Sequence, residues 1–352
     1  PLAAGIVDCF HGQGLAVFGP SKDAARIESS KVFAKELMAK HGIPTGRTEV
    51  FDSYREACSY VRSQTFPLVV KADGLAAGKG VVVARTEDEA VKALEECLVE
   101  RVFGAAGDRA LVEECLKGRE VSVFAFTDGE AMSPLVAACD YKRAYDGDEG
   151  PNTGGMGSYS PPPFWTARLA REVQETIMGP TVRALAQEGC PYKGVLYGGL
   201  MLTEDGPKVL EFNCRLGDPE TQVILPRLRT DLVEVLLAVV EGRLRETSIE
   251  WSPEACVGVV MASGGYPGGY ATGVSVSGLA DAEARGLVFH GGTRQEQGNG
   301  SKIVTDGGRV VTVVGRGPGM DEARARAYDG IARIRLEGGF YRRDIAAGIE
   351  NR

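Results

Sequence analysis

Between Lys208 and Gln222 the chain reads KVLEFNCRLGDPETQ. Side chains alternate faces along a strand, so Lys208, Leu210 and Phe212 are expected on one side, with Val209, Glu211 and Asn213 on the other. Glu211 and Asn213 would then stand roughly 6.5–7 Å apart, one two-residue strand repeat. That suits oxygen ligands sharing one Mg²⁺ or a close pair, because Mg²⁺ takes few protein oxygens and leaves the rest to water and phosphate. Arg215, a Gly-Asp-Pro turn and Glu220 follow directly. One strand end would deliver two metal-type oxygens, a guanidinium and two carboxylates. The bland alternative is a half-buried strand with a polar outer face, followed by a turn.

A second chemical stretch is FPLVVKADGLAAGKGVVVA, Phe66 to Ala84. Two Val-rich strands flank a loop holding Gly74, Gly78 and Gly80 with Lys71, Asp73 and Lys79. Small residues let backbone N–H groups approach phosphate oxygens, and the lysines add charge. It is not a Walker A loop: three residues rather than four separate Gly74 from Gly78, and Gly80 replaces the Ser or Thr after Lys79. No G-x-G-x-x-G opens a helix either. A glycine hairpin lying over phosphates fits, with a plain flexible hairpin as the alternative. Downstream, Glu113, Glu114 and Glu120 surround a connector at Leu116–Gly118 that could meet a base through its backbone and ribose hydroxyls through a carboxylate. Surface glutamates are the alternative there, as a solvated helix lysine is for Lys31. The segment Asp140–Pro163 is rich in Gly and Pro and carries Lys142 and Arg143. Its Tyr141, Tyr145, Met156 and Tyr159 favour an ordered functional loop.

Several elements must position these residues. The chain opens with a helix, LAAGIVDCF, and a short strand, LAVFG. A helix over Ala24–Lys40 is interrupted near Ser29-Ser30-Lys31 and stopped by Gly42-Ile43-Pro44. From Thr48 to Leu116 the pattern is strand, helix, strand, loop, strand, helix, strand. Asp52 would cap the first helix, and Thr86 with Glu89 makes a capping box for the second. Strands flank the Leu116–Gly118 connector, and an Asp128-Gly129 turn leads to a return strand ending at Ala137. Thr166–Glu188 reads as a long amphipathic helix. A hairpin through Glu204-Asp205-Gly206 joins the strand Gly194–Leu202 to the Lys208 strand, and an apolar helix covers Leu232–Val240. After a boundary at Trp251–Glu254 come short strands and Gly-rich turns, then a helix over Asp321–Ile334.

The totals narrow the function class. A length of 352 residues fits two or three domains. With 43% hydrophobic and 25% charged residues the composition is that of a globular protein. No apolar run approaches the ~18 residues of a membrane helix. The net charge of −8 argues against nucleic acid as main partner, so a small anion would need a local basic pocket. Eight scattered cysteines without a C-x-x-C read as reduced intracellular thiols. Three dispersed histidines argue against a His-based zinc site. The chain begins Pro-Leu-Ala-Ala without Met, and a segment upstream is expected.

Four stretches together resemble the ATP-grasp superfamily and, within it, the glycinamide ribonucleotide synthetase family: KADGLAAGKG (Lys71–Gly80), GPNTGGMG (Gly150–Gly157), EFNCRLGDPETQ (Glu211–Gln222) and VMASGGYPG (Val260–Gly268). The likeness runs from the first residues to Arg343 and includes SKVFAKELMAKHGIPT after Ser30. It implies an α/β (α+β) ATP-grasp fold: residues 1–20 as the remnant of a Rossmann-like N-terminal domain, 21–254 as the ATP-grasp domain with 48–117 as its small lid, and 255–352 as a β-rich C-terminal domain. The implied reaction is ATP + glycine + 5-phosphoribosylamine → ADP + phosphate + glycinamide ribonucleotide, through glycyl phosphate, in purine biosynthesis.

By the same resemblance Glu211 and Asn213 hold Mg²⁺ or Mn²⁺. Lys31 and Lys71 meet the ATP phosphates, and Gly78, Lys79 and Gly80 form the phosphate flap. Glu113 and Leu116 hold the adenine and Glu120 the ribose. Asp140, Lys142, Arg143, Asn152, Thr153, Gly154, Gly155, Met156, Arg215, Gly217 and Asp218 face glycine and the ribosylamine phosphate. Lys71, Lys79 and Arg215 neutralise the charge of the reacting groups, chemistry that needs positioning more than acid–base power. The chain departs from the family at Ala138-Cys139-Asp140-Tyr141, where Ser-Gln and a His are usual. A cytoplasmic monomer without nucleic-acid or membrane partners is implied. The competing expectations are a related carboxylate–amine ligase with another acid or amine, and a nucleotide-binding fragment without turnover.

Overall fold

The computed structural model of the chain describes residues 1–75, 80–296 and 302–349. It divides into two compact units. The first comprises Pro1–Leu135, Ala167–Arg215 and Val233–Ser248, and the second Val136–Thr166, Leu216–Leu232 and Ile249–Arg352.

In the first unit, the interruption expected near Ser30 is real. A short helix, Arg26–Ser29, ends at Ser30, whose extended backbone starts a new helix, Lys31–His41. The Ser30 hydroxyl accepts from the Phe33 N–H at 3.1 Å, capping one of the helix's orphan donors. Gly42, left-handed at φ 66°, closes the other end. Lys31 therefore begins a helix, and Lys35 falls one turn later on the same side.

Strands Thr48–Phe51, Ala110–Glu114, Leu68–Ala72 and Val81–Ala84 form an antiparallel sheet in that spatial order. Its alternation decides everything else about it. Leu68, Val70, Ala72, Ala110 and Val112 point into a core with the helices Tyr54–Val61 and Glu87–Leu98, where Val61 and Leu94 are fully buried. Each Val or Leu side chain among them contributes about 1.5–3 kcal/mol by leaving water. The register pairs Lys71 with Leu111 and Val69 with Glu113, which puts Lys71 and Glu113 together on the opposite face. Ser53, not Asp52, caps the first of these helices, since its hydroxyl accepts from the Glu56 N–H. Thr86 caps the second as expected, while the Glu89 carboxylate takes the Arg85 N–H.

The same unit holds strands Arg119–Thr127, Gly194–Thr203 and Gly206–Asn213, neighbours in that order and antiparallel. A β-bulge corrects the simple alternation expected around Glu211. Gly199 pairs with Glu211 but Leu200 pairs with Val209, so Leu210 is the extra residue. The phase slips by one: Val209 joins Phe212 on the buried face, and Lys208 joins Glu211 and Asn213 on the other. The helix after Thr166 is continuous through Gln187 but widens to a π-turn at Gln174–Met178, just before Pro180, whose missing N–H an α-helical ladder would not accommodate. No strand forms at Leu15–Gly19, because no partner ladder among the described residues takes up its backbone groups. After the Asp128-Gly129 turn comes an isolated bridge, Thr127 to Met132, and the expected return strand forms further on, at Val136–Asp140, rather than ending at Ala137.

In the second unit, strands Val136–Asp140, Gly157–Ser160, Ala255–Ala262, Arg309–Gly317 and Leu287–His290 are antiparallel neighbours in that order. Helix Met320–Ile331 covers them with the stripe Ala323, Ala327 and Ile331, all fully buried. A smaller sheet runs Thr293–Glu296, Lys302–Thr305, Ser275–Ser277, Arg335–Leu336. The Asp140–Pro163 segment is not a bare loop: it contains the hairpin Arg143–Tyr145 with Glu149–Asn152, then the strand Gly157–Ser160.

Candidate active site

Three lysines and Arg215, facing the carboxylates of Glu28, Glu113 and Glu211, line a cavity of about 430 Å³ in the first unit. Lys35 Nζ and Lys71 Nζ each lie 2.9 Å from Glu113 Oε2, and all three side chains are less than a tenth exposed. Two buried ammoniums against one carboxylate leave a positive charge without a partner of opposite sign, an arrangement that costs free energy unless an anion joins it. Burial pushes the Lys35 pKa below the ordinary lysine value, with Glu113 opposing it. Burial does the same at Lys31, against the pull of Glu211. Glu113 Oε1 is buried with no hydrogen-bond partner among the described residues. A buried acceptor left without a partner is one that an N–H donor on a ligand can satisfy.

Backbone and polar contacts fix this group in place. Asp73 accepts from Arg109 Nη2 at 2.6 Å, Ser30 Oγ at 3.1 Å and the Val32 N–H at 3.1 Å, which ties the start of the Lys31 helix to the strand after Lys71. Lys31 Nζ donates to Gly74 O at 2.7 Å. Lys71 Nζ donates to Leu210 O at 3.2 Å, at the bulge. Lys35 Nζ donates to Thr45 Oγ1 at 2.8 Å, and that hydroxyl donates to Val209 O at 2.7 Å, beside the bulge. Both lysines therefore link Glu113 to the strand that carries Glu211 and Asn213.

Those two oxygens share one face of their strand, Asn213 buried and Glu211 exposed, and both line the cavity. Arg215 follows, half exposed, with Nη2 donating to Asn213 Oδ1 at 3.4 Å and Nε 3.8 Å from Glu28 Oε1. Among the described residues no three His, Cys, Asp or Glu side chains cluster to hold a metal ion. A two-oxygen site of this kind fits Mg²⁺ bound together with phosphate. Excess positive charge, an open buried acceptor and a pair of hard oxygens suit one ligand class, a metal-bound nucleoside polyphosphate.

Of the residues singled out from the sequence, Lys31, Lys71, Gly80, Glu113, Glu211, Asn213 and Arg215 are brought together at this cavity. Leu116 lies half-buried in the connector and Glu120 on an exposed strand end, and neither lines it. Gly78 and Lys79 lie outside the described residues. Lys35 and Thr45 were missed. The i,i+4 spacing from Lys31 could have flagged Lys35.

The remaining singled-out residues lie in the second unit. Arg143 pairs with Asn152 across the hairpin, its Nη1 3.5 Å from Asn152 Oδ1, and Lys142 Nζ lies 3.6 Å from Asp140 Oδ1. The loop amides are taken up internally. Thr153 donates to Lys142 O at 2.7 Å, Gly154 to Tyr266 Oη at 2.9 Å, Gly155 to Thr153 Oγ1 at 3.0 Å and Met156 to Tyr141 O at 2.7 Å. Met156 is fully buried and its carbonyl accepts from Val260, so this residue fixes the loop rather than facing a ligand. Gly217 O accepts from Thr221, and Asp218 Oδ1 accepts from Gln222 Nε2 at 2.9 Å. Tyr266 and Arg309, which hold the Gly154–Gly155 turn, are more than a hundred residues away in sequence. Only the place of Tyr266 in VMASGGYPG hinted at a role for it.

Comparison with known proteins follows the same lines. Residues 29–221 match the ATP-grasp (A) domain of phosphoribosylglycinamide synthetase, and residues 256–348 match the C domain of that family. The phosphoribosylamine–glycine ligase of Halalkalibacterium halodurans is 52% identical over 348 residues, 99% of this chain and 80% of that protein. The crystal structure of phosphoribosylamine–glycine ligase from Thermotoga maritima superposes with a TM-score of 0.86 at 37% identity, covering 94% of this chain and 81% of that one. A biotin carboxylase from Campylobacter jejuni, at 16% identity and a TM-score of 0.70 over 98% of this chain and 75% of that one, shares the fold.

Proposed function

The chain belongs to the phosphoribosylglycinamide synthetase family of ATP-grasp ligases, and on that premise we propose that it joins glycine to 5-phosphoribosylamine, converting ATP to ADP and phosphate. The observation that carries this reading is the Lys35–Glu113–Lys71 group with Lys31 beside it: an excess of buried positive charge in a cavity whose other wall presents Glu211 and Asn213.

In the first step a glycine carboxylate oxygen bonds to the γ-phosphorus while the bond to the ADP oxygen breaks, giving glycyl phosphate. In the second the ribosylamine nitrogen attacks the glycyl carbonyl, loses a proton and expels phosphate. Lys31 and Lys71 hold the phosphate oxygens and offset the charge that gathers on them. Glu113 accepts an N–H of the adenine through Oε1, with Lys35 and Lys71 fixing its other oxygen. Glu211 and Asn213 hold the divalent metal, Mg²⁺ by preference for hard oxygens or Mn²⁺ in its place. When bound, the metal neutralises phosphate charge and polarises the transferring group. Arg215, a planar fork at the same strand end, clamps a carboxylate or phosphate.

Asp140, Lys142, Arg143, Asn152, Thr153, Gly154, Gly155, Gly217 and Asp218 of the second unit form the co-substrate side of this reading, Lys142 and Arg143 supplying its charge. No helix among the described residues is long and apolar enough to cross a membrane. With eight cysteines and no disulfide among the described residues, a reducing cytoplasm is the proposed setting and a monomer the proposed state. The deciding experiment is ADP release with ATP and Mg²⁺, with and without glycine plus freshly made phosphoribosylamine. Release that requires both co-substrates is expected; release indifferent to glycine overturns the reading.

A further inference from the structure

Arg309 is absent from the stretches that carry the family likeness and Tyr266 enters only as part of VMASGGYPG with no role attached, yet both grip the Gly154–Gly155 turn. Arg309 Nη1 donates to Gly154 O at 2.8 Å and to Asp218 O at 2.8 Å, with Asp218 Oδ1 at 3.3 Å and Gly155 O at 3.4 Å. Gly154 in turn donates to Tyr266 Oη at 2.9 Å. A single guanidinium nitrogen thus joins the Thr153–Met156 turn to the Gly217–Pro219 turn, two segments of the second unit proposed to face the co-substrates.

Gly154 packs on the Arg309 guanidinium, where a Cβ would stand 2.9 Å from Cζ, 3.0 Å from Nη2 and 3.1 Å from Nε, so only a glycine leaves room beside these atoms. Among the described residues, Nε and Nη2 meet no protein acceptor, and the side chain is 25% exposed. These two nitrogens form the edge of arginine that pairs side-on with a carboxylate or phosphate, and the group is charged at every relevant pH. The amides of Thr153, Gly154, Gly155 and Met156 are all engaged within the unit, so the turn has no N–H of its own left for an anion.

We propose that Arg309 fastens these two turns to one another and presents its Nε/Nη2 edge to an oxyanion of a co-substrate, the carboxylate of glycine or the phosphate of phosphoribosylamine. The co-substrate names rest on the ligase reading; the binding claim has its own test. Glycine and inorganic phosphate are titrated calorimetrically into the full chain with ADP and Mg²⁺ present, for the parent, Arg309→Lys and Arg309→Gln. The parent is expected to bind at least one of them. Arg309→Gln should weaken that binding at least tenfold, and Arg309→Lys, which keeps the charge and loses the edge, should fall between. ADP affinity should stay within twofold throughout. The anion that loses affinity identifies its source, and in turnover the KM of the matching co-substrate should rise while kcat holds within twofold.

Binding of neither anion to the parent, or equal binding to all three proteins, overturns the proposal. So does a loss that falls equally on ADP and on thermal stability, which is the mark of a brace alone. Weakened anion binding in a chain that shows no glycine-dependent ADP release would leave Arg309 in its role and sink the ligase reading instead.

Discussion

Glu113 sits where two chemical demands meet. One of its oxygens holds two buried ammoniums and the other is buried without a hydrogen-bond partner among the described residues. Removing either lysine would shift the carboxylate, so in the proposed reading base recognition and phosphate charge are coupled through a single side chain. The proposed metal pair is simpler to test, because Glu211 is exposed and its truncation leaves no cavity in the core. Glu211→Ala is expected to lower Mg²⁺-dependent kcat by at least about a hundredfold, a range typical of lost transition-state charge stabilisation. Its melting temperature should stay within a few degrees of the parent, as for surface substitutions generally. Steady-state turnover beside a circular-dichroism melt checks both, and near-parental activity would remove Glu211 from the site. Cys214, next to Asn213, takes no part in this chemistry: burial pushes its thiol up to about 12, which leaves it a protonated packing group.

Among the elements, the bulge at Leu210 and the Gly154–Gly155 turn set the aim of the neighbouring side chains. The bulge lets Val209 pack in the core while Glu211 and Asn213 stay together on the cavity face, and its carbonyl anchors Lys71. In the turn, Gly155 has φ +114° and would place a Cβ 2.4 Å from Pro219 Cδ. Neither the dihedral nor the space admits a side chain. Gly155→Ala is expected to cost about 1–3 kcal/mol through strained backbone and displacement of the Pro219 ring. It should also raise the KM of glycine or phosphoribosylamine while leaving that of ATP unchanged. Urea unfolding measures the first effect and steady-state kinetics the second; an unchanged urea midpoint would mean that the turn yields without cost.

At the scale of the whole molecule, stability toward acid has an identifiable source. Arg342, fully buried in the second unit, donates to Asp344 Oδ2 at 2.6 Å, Asp148 Oδ1 at 2.9 Å and Arg143 O at 3.0 Å, with its guanidinium 4.7 Å from the centre of the Tyr141 ring. Burial alone would raise the Asp344 pKa, but the Arg342 hydrogen bonds and the Gly147 N–H outweigh it and hold the group down to about 2, against an ordinary 3.8. A carboxyl whose folded pKa is depressed adds stability that is complete above its unfolded value and lost as pH falls through the folded one. The window is therefore about pH 4 down to about pH 2, and the contribution at neutral pH about 2 kcal/mol. Unfolding free energies measured across that window should fall, and Asp344→Asn should flatten that part of the curve. A slope unchanged by Asp344→Asn would place the acid sensitivity elsewhere.

Much of this could be read along the chain, because it depends on local chemistry. The Ser30 break, the strand–helix alternation from Thr48 to Leu116, the hairpin that turns between Gly194–Thr203 and Gly206–Asn213, and the oxygens of Glu211 and Asn213 follow from caps, periodicity and residue type within a few positions of one another. So does the ATP-grasp motif set, whose family the comparisons bear out. Tertiary structure decided what depends on register and on distant partners. A bulge of one residue moved Val209 to the opposite face. Pairing across 139 residues set Lys71 on Leu210 O, and pairing across 155 set Arg309 on the Gly154 turn. Lys35 belongs with both groups: its spacing from Lys31 is written in the helix, but its charge acquires a role only where Glu113 arrives from another strand and water is excluded.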